Sequence, residues 1–209
     1  TPDGRARFAD VAYAPLAEPR DARYPFSLTT GRLRDHWHGM SRTGLLGRLF
    51  GHVSEPAVQL HPQDMERRGL KDGDLVHLTS RRGSIVLPVQ GSAQVGLSQA
   101  FVAMHWGEEF VSGCGSTGER LAGVNALTTP AFCPSSKQPE LKHTAVKVLK
   151  AELPWTLLGA AWLPSSQAHR ALAALRALMP VFSYATCLPF GREPNDRGVL
   201  GVLFRADRK

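Results

Sequence analysis

The chain has 209 residues, 43% of them hydrophobic and 21% charged, which is room for one globular domain plus a small appendage. Its formal net charge is +7, yet the arginines are not gathered into a basic helix and no nucleic-acid motif appears, which argues against a nucleic-acid partner. No apolar run approaches the roughly 18 to 20 residues that a membrane-spanning helix needs, so no membrane partner is expected either.

Residues 1–23 are rich in Pro, Ala and charge without a sustained period, and read as an extended lead-in to Tyr24 and Phe26. The start, Thr1-Pro2-Asp3, shows neither Met nor secretory signal and reads as cut from a longer polypeptide. The apolar run Phe26 to Leu28 stops at Thr29-Thr30-Gly31. Ala57 to His61 is a short alternating strand; Pro62 then opens a short helix that ends before Gly69. Lys71-Asp72-Gly73-Asp74 is a turn, Leu75 to Ser80 a strand, and Ser84 to Gln90 its return. Between those two strands, Arg81-Arg82-Gly83 reads as an exposed hairpin tip with a glycine available for positive φ. Asp64, Glu66, Arg67 and Arg68 read as a solvated helix face.

Val95 to His105 reads as a turn and a strand, and His143 to Val148 as a closing strand. After Pro154 the texture changes. Trp155 to Leu163 reads as a buried strand, Pro164-Ser165-Ser166 as a helix start, and Ala168, Leu172, Leu175 and Met179 recur at helical spacing. Phe182 to Leu188 and Val199 to Phe204 complete a small β-α-β-β unit. The expected class is therefore mainly β: a barrel with short helices over residues 24–150, followed by an α/β appendage over 151–209.

The three cysteines, Cys114, Cys133 and Cys187, are far apart and form no Cys-x-x-Cys, so zinc or iron–sulfur ligation within this chain is not expected. Sparse, odd-numbered thiols favour a reducing, cytoplasmic setting. No catalytic triad, phosphate-binding loop or paired-carboxylate motif stands out.

The most informative segment is Leu28-Thr29-Thr30-Gly31-Arg32-Leu33-Arg34-Asp35-His36-Trp37-His38-Gly39. Glycine allows backbone N–H groups to approach an oxyanion, arginine forks onto phosphate, and tryptophan offers a flat apolar face. Such a loop suits a large polyanionic ligand with an aromatic end. His36 and His38 form a His-x-His pair without a third ligand of fitting spacing, so metal ligation is not expected. Three further places stand out: Met104-His105-Trp106-Gly107, Val124-Asn125-Ala126-Leu127-Thr128, and Pro134-Ser135-Ser136-Lys137-Gln138-Pro139-Glu140-Leu141-Lys142-His143. An asparagine amide reads a heterocycle edge with a paired donor and acceptor, and a lysine is a point charge for an anion.

Together with Arg42-Thr43-Gly44-Leu45-Leu46-Gly47 and Gly51-His52-Val53-Ser54-Glu55-Pro56, these motifs resemble the C-terminal molybdopterin-guanine-dinucleotide-binding domain of the large molybdenum oxidoreductases. They are most similar to bacterial assimilatory nitrate reductases. Formate dehydrogenases share the Thr-Gly-Arg part and typically diverge after it. The resemblance runs from Tyr24 to Lys150. It implies a double-psi β-barrel and contacts to molybdopterin guanine dinucleotide from Thr30, Gly31, Arg32, Arg34, His36, Trp37, His38, His105, Trp106, Asn125, Gln138 and Lys142. It places no catalytic residue or metal ligand here; the ligand of the molybdenum and an iron–sulfur cluster would lie in N-terminal domains of the same polypeptide. Its other implied partners are an electron-donor protein and, for the parent enzyme, nitrate. The positive charge fits both an anionic cofactor and an acidic donor. Cys133 stands where the family commonly has aspartate, and Glu108 to Gly123 is less like the pattern. The alternatives are the same domain of a formate dehydrogenase or another molybdopterin oxidoreductase, and a non-catalytic β-barrel interaction module.

Overall fold

A computed structural model describes the chain except residues 7, 9, 11, 37–52, 54, 108–112, 116–119, 122, 135, 141, 165–173, 175–183, 191–198 and 209. In chain order the elements are β1 (Phe26–Gly31), β2 (Val58–Leu60), helix α1 (Pro62–Glu66), β3 (Leu75–Thr79), β4 (Gly83–Gly91), β5 (Gln99–Ala103), β6 (Gly113–Gly115) and β7 (Arg120–Leu121). A 3-10 turn (Val124–Ala126) and β8 (Thr144–Lys150) follow, then β9 (Trp155–Pro164), β10 (Tyr184–Phe190) and β11 (Val199–Arg208).

Six strands close on themselves. β1 pairs parallel with β5, β5 antiparallel with β2, β2 parallel with β4, and β4, β3, β8 and β1 complete the ring antiparallel. Exchanging β1 with β4, β5 with β2 and β8 with β3 reproduces the same pairings with every strand reversed. That two-fold relation, with one parallel pair in each half, is the double-psi arrangement. Closure leaves no open edge in the ring.

Period-two alternation fills the interior. Phe26, Leu28 and Thr30 point inward from β1, and Val58 and Leu60 from β2. Phe26, Leu28, Val58 and Leu60 form one apolar core with Leu78, Ile85, Leu87, Ala100, Val102, Val146 and Leu127. Each fully buried large side chain stabilises the fold by about 1.5–3 kcal/mol. The short helix follows its sequence signals: His61 Nδ1 accepts from Gln63 N at 3.2 Å, and Pro62 occupies the first turn. Gly69, at φ +62°, ends it with Leu70 N donating to Met65 O at 3.0 Å.

Several expectations change. β1 continues through Thr29, Thr30 and Gly31, because parallel pairing with β5 extends to Gly31 opposite Ala103. Asp64 is buried, and its carboxylate accepts from Ser98 N at 2.6 Å. Arg68 lies over the Phe26 ring at 4.4 Å. Glu66, Arg67 and Arg68 are exposed as expected; Asp64 alone of the four is buried, against the turn before β5. Gly83 is not in the positive-φ region; the hairpin turn is held instead by Ser80 N on Gly83 O (2.9 Å) and Arg82 N on the Ser80 hydroxyl (3.1 Å). The tip arginines are engaged, as described below.

β9 is a strand, but it is not buried: Trp155, Leu157, Leu158 and Trp162 are 61–73% exposed. It belongs to a separate three-stranded antiparallel sheet, β10-β11-β9. The helix expected after Pro164 lies outside the described residues, Ala174 excepted. Among the described residues no helix is long and apolar enough to cross a membrane.

Candidate dinucleotide-binding site

Parallel neighbours end on the same side of a sheet, so the loops that follow β1 and β5 leave the barrel side by side. The register continues past the strands. Met104 N donates to Gly31 O at 2.9 Å. Two residues beyond the Gly31–Ala103 pair, Leu33 N donates to His105 Nε2 at 3.0 Å. An amide N–H needs a lone pair there, so His105 is the neutral tautomer with its proton on Nδ1.

Behind the loop lies a buried ring cluster. His36 sits edge-to-face with His105 at 5.8 Å and with Trp106 at 5.6 Å between centroids. All three are nearly inaccessible, 4%, 1% and 3% exposed respectively. His36 also bonds Val53 O through Nε2 at 3.3 Å. Leu33, Arg34, Asp35, His36 and Val53 line an open cleft of about 340 Å³.

Lys142 comes from far along the chain and sets Nζ on Thr30 O at 2.6 Å. The Thr30 side chain itself is buried. Gly31 lies under Phe101, where a Cβ would meet Cε2 at 2.8 Å. Asn125 is brought in through its neighbour Gly123, whose φ is +74° and whose Cα faces the Trp106 carbonyl so closely that a Cβ would come within 2.5 Å of it. That contact fixes the 3-10 turn against the His105–Trp106 segment. Asn125 is exposed, and its own carbonyl accepts from Thr128 N and Oγ1 at 3.3 and 3.0 Å.

Thr30, Gly31, His36, His105, Trp106, Asn125 and Lys142 therefore gather at one end of the barrel. Arg32 and Arg34 are exposed on the same loop. Arg34 grips Asp35 through Nε and Nη2 at 3.0 Å each, and the carboxylate holds its guanidinium yet more firmly protonated. Gln138 is exposed, and its described bonds stay within its own loop, where its carbonyl accepts from Cys133 N at 2.8 Å. Trp37 and His38 lie outside the described residues. Cys133 is exposed, and its sulfur accepts from Ser136 N at 3.5 Å. Among the described residues no group of three His, Cys, Asp or Glu side chains is placed to hold a metal ion.

One network beside this end has no signal in any local stretch of sequence. Arg82 forks onto Glu18 at 2.6 and 2.9 Å and donates from Nε to Leu127 O at 3.3 Å. Arg81 reaches Asp21 and covers the Tyr24 ring at 4.9 Å. His143 joins Glu18 O (2.8 Å) to the Ser27 hydroxyl (2.7 Å). The Arg82 fork holds the Glu18 carboxyl below its usual pKa, against a smaller opposing effect of burial. Two adjacent arginines and two acids some sixty residues upstream were visible as charges; their separation in space was not.

A family model described as "Molydopterin dinucleotide binding domain" matches residues 26–145. The chain belongs to this family. The matched range starts with β1, ends within β8 and contains every residue of the gathered site. The chain is 37% identical over 163 residues to the nitrate reductase of Klebsiella oxytoca, covering 78% of this chain and 17% of that protein. It is 32% identical over 150 residues to the F420-dependent formate dehydrogenase 1 subunit alpha of Methanococcus maripaludis, covering 72% and 20% respectively. The chain thus spans about a fifth of the length of the curated relatives it matches. Among solved structures it is similar in fold to acetylene hydratase from Pelobacter acetylenicus, at a TM-score of 0.50 and 19% identity, over 61% of this chain and 18% of that one.

Proposed function

We propose that this dinucleotide-binding domain is the C-terminal, cofactor-holding part of a molybdenum-dependent nitrate reductase that converts nitrate to nitrite. The observation that carries the reading is the meeting of Thr30–Gly31, His105–Trp106, Asn125 and Lys142 at the shared end of two parallel strands. The likeness to nitrate reductase supports the choice of parent enzyme.

The residues present fit molybdopterin guanine dinucleotide. Lys142 carries three donors, of which Thr30 O takes one, so the ammonium is anchored while its positive charge serves an anion. Arg32 and Arg34 add cations on the exposed side of the loop that suit pyrophosphate oxygens. The exposed Asn125 amide suits the edge of a guanine or pterin, and Gln138 adds a second amide. Trp37 and His38 belong to the same proposed loop. His36, His105 and Trp106 serve from behind, by fixing the path of that loop and excluding water from it. When bound, the cofactor supplies the metal for oxygen-atom transfer and the route for electrons.

The molybdenum ligand and an iron–sulfur cluster then belong to the N-terminal domains of the same polypeptide, and an acidic protein delivers electrons. The domain by itself is inactive. Residues 24–150 form the cofactor unit, 1–23 its lead-in and 151–209 an appendage. A cytoplasmic setting is part of the same reading, in keeping with the sparse cysteines of the sequence.

The test uses the full-length polypeptide from a host competent in molybdenum cofactor synthesis. Molybdenum is measured by mass spectrometry, guanine nucleotide is measured after acid release, and nitrate and formate turnover are followed with an artificial electron carrier. Bound molybdenum, about one guanine nucleotide per metal-bound pterin, and nitrite formation support the reading. Formate oxidation in place of nitrite formation selects the formate dehydrogenase alternative, which the Methanococcus maripaludis relative favours. A folded protein without molybdenum leaves a non-catalytic binding module.

A further inference from the structure

Arg82 lies outside the motifs that carry the family resemblance, yet it joins three separate stretches of chain. Nη1 and Nη2 hold the two oxygens of Glu18 at 2.6 and 2.9 Å, Nε donates to the Leu127 carbonyl at 3.3 Å, and the backbone N–H sits on the Ser80 hydroxyl. Leu127 is fully buried and closes the 3-10 turn, its own N–H resting on Val124 O at 3.0 Å. A carbonyl at the end of so short a turn has no following helical donor, and a buried one needs another. Arg82 supplies it.

A guanidinium is planar and rigid. Once a carboxylate fixes its two terminal nitrogens, the direction of the Nε–H is also fixed. Glu18 therefore aims the donor that holds Leu127. Glu18 is itself held on its main chain, where His143 Nε2 donates to Glu18 O at 2.8 Å; a carbonyl only accepts, so that nitrogen carries the proton. At its start the same turn is pinned by Gly123 against the Trp106 carbonyl. Asn125 sits between the two anchors.

We infer that Arg82, aimed by Glu18, is a positioning residue that orients the Asn125 turn toward the bound guanine dinucleotide. This rests on the reading of Asn125 as a cofactor contact. The lead-in thereby becomes part of the cofactor site without touching the cofactor.

The experiment is a double-mutant cycle on the full-length polypeptide, with Arg82→Ala, Asn125→Ala and the pair together. The readout is the rate at which guanine nucleotide and molybdenum are lost on dialysis, alongside the unfolding midpoint. Asn125→Ala should speed the loss, and Arg82→Ala should speed it about tenfold, the usual scale for a group that orients a ligand's partner. The double variant should be no faster than the worse single one, because both act through one turn. Arg82→Lys, which keeps the charge but not the fork, should recover the unfolding midpoint more fully than it recovers nucleotide retention. Multiplying effects in the double variant, or nucleotide loss that simply follows the midpoint, would overturn the inference. No effect of Asn125→Ala sinks the reading of Asn125 itself, and the positioning role with it, whatever Arg82→Ala does. Should Arg82→Ala fail to fold, Glu18→Gln replaces it in the same cycle with the same expected outcomes.

Discussion

Single residues at the site are set by contacts that only one residue type tolerates. Gly123 combines φ +74° and ψ 176° with the Trp106 carbonyl where a Cβ would stand, so its conformation is open essentially to glycine alone. Gly123→Ala should cost roughly 2–6 kcal/mol, the sum of a disallowed backbone and an overpacked contact; thermal unfolding measures it, and a variant within about 0.5 kcal/mol of the parent, the scale of a surface change, would show that the turn has room to move. Glu18 gives a pH signature. The Arg82 fork favours its ionised form in the folded state. Its contribution is therefore present above the unfolded carboxyl pKa, near 4.5, and is lost as pH falls through the lower folded value. Glu18→Gln should lower the unfolding midpoint at pH 7, and the two proteins should converge as pH falls below 4.5 and through the lower folded value. A gap that stays constant with pH would remove the ion pair from the account.

Elements in this fold are decided by pairing and docking more than by local preference. The Thr29-Thr30-Gly31 end of β1 looks like the start of a loop in sequence, yet β5 alongside keeps it extended. Likewise α1 has an ordinary charged face, and the barrel buries part of it. Asp64 accepts the N–H of Ser98, which itself sits at φ +55°, so the carboxylate holds a strained turn before β5. Asp64→Ala should destabilise by about 1–3 kcal/mol, the cost of leaving a buried donor unmet. Asp64→Asn should lose less. Hydrogen exchange at Ser98 and along β5 is the direct check, and unchanged protection there would place the importance of Asp64 elsewhere. Within the strands, Leu78 stands fully buried at the centre of the core, and Leu78→Ala should cost about 2–5 kcal/mol by denaturant unfolding.

At the scale of the whole molecule the barrel and the three-stranded sheet are hydrogen-bonded separately. A chain ending at Pro154 should keep cooperative unfolding and the exchange protection of β3 and β8, while losing four exposed apolar side chains on β9. Collapse of barrel protection in that shortened chain would show that the appendage completes the core. Under the proposed function, the same truncation in the full-length polypeptide tests whether the appendage docks an electron donor: unchanged donor-dependent turnover excludes it.

Sequence alone determined the strands with clean alternation, the helix opened by Pro62 and closed by Gly69, and the four motifs, because period, caps and turn chemistry are local properties. It placed Thr30, His105, Asn125 and Lys142 on the page without distances. Tertiary structure decided that they meet. Barrel closure with parallel pairing brings the ends of β1 and β5 together, and returns Lys142 to Thr30 across more than a hundred residues. It also decided the fate of Arg82 and Asp64, which look like surface charges in any local window. Their partners, Glu18, Leu127 and Ser98, are distant in sequence, and a charge or a carbonyl carries no sign of which remote group will satisfy it. The exposure of β9 is the converse case: apolar side chains announce a wish for burial, but whether a neighbour is present to cover them is a property of the assembled chain.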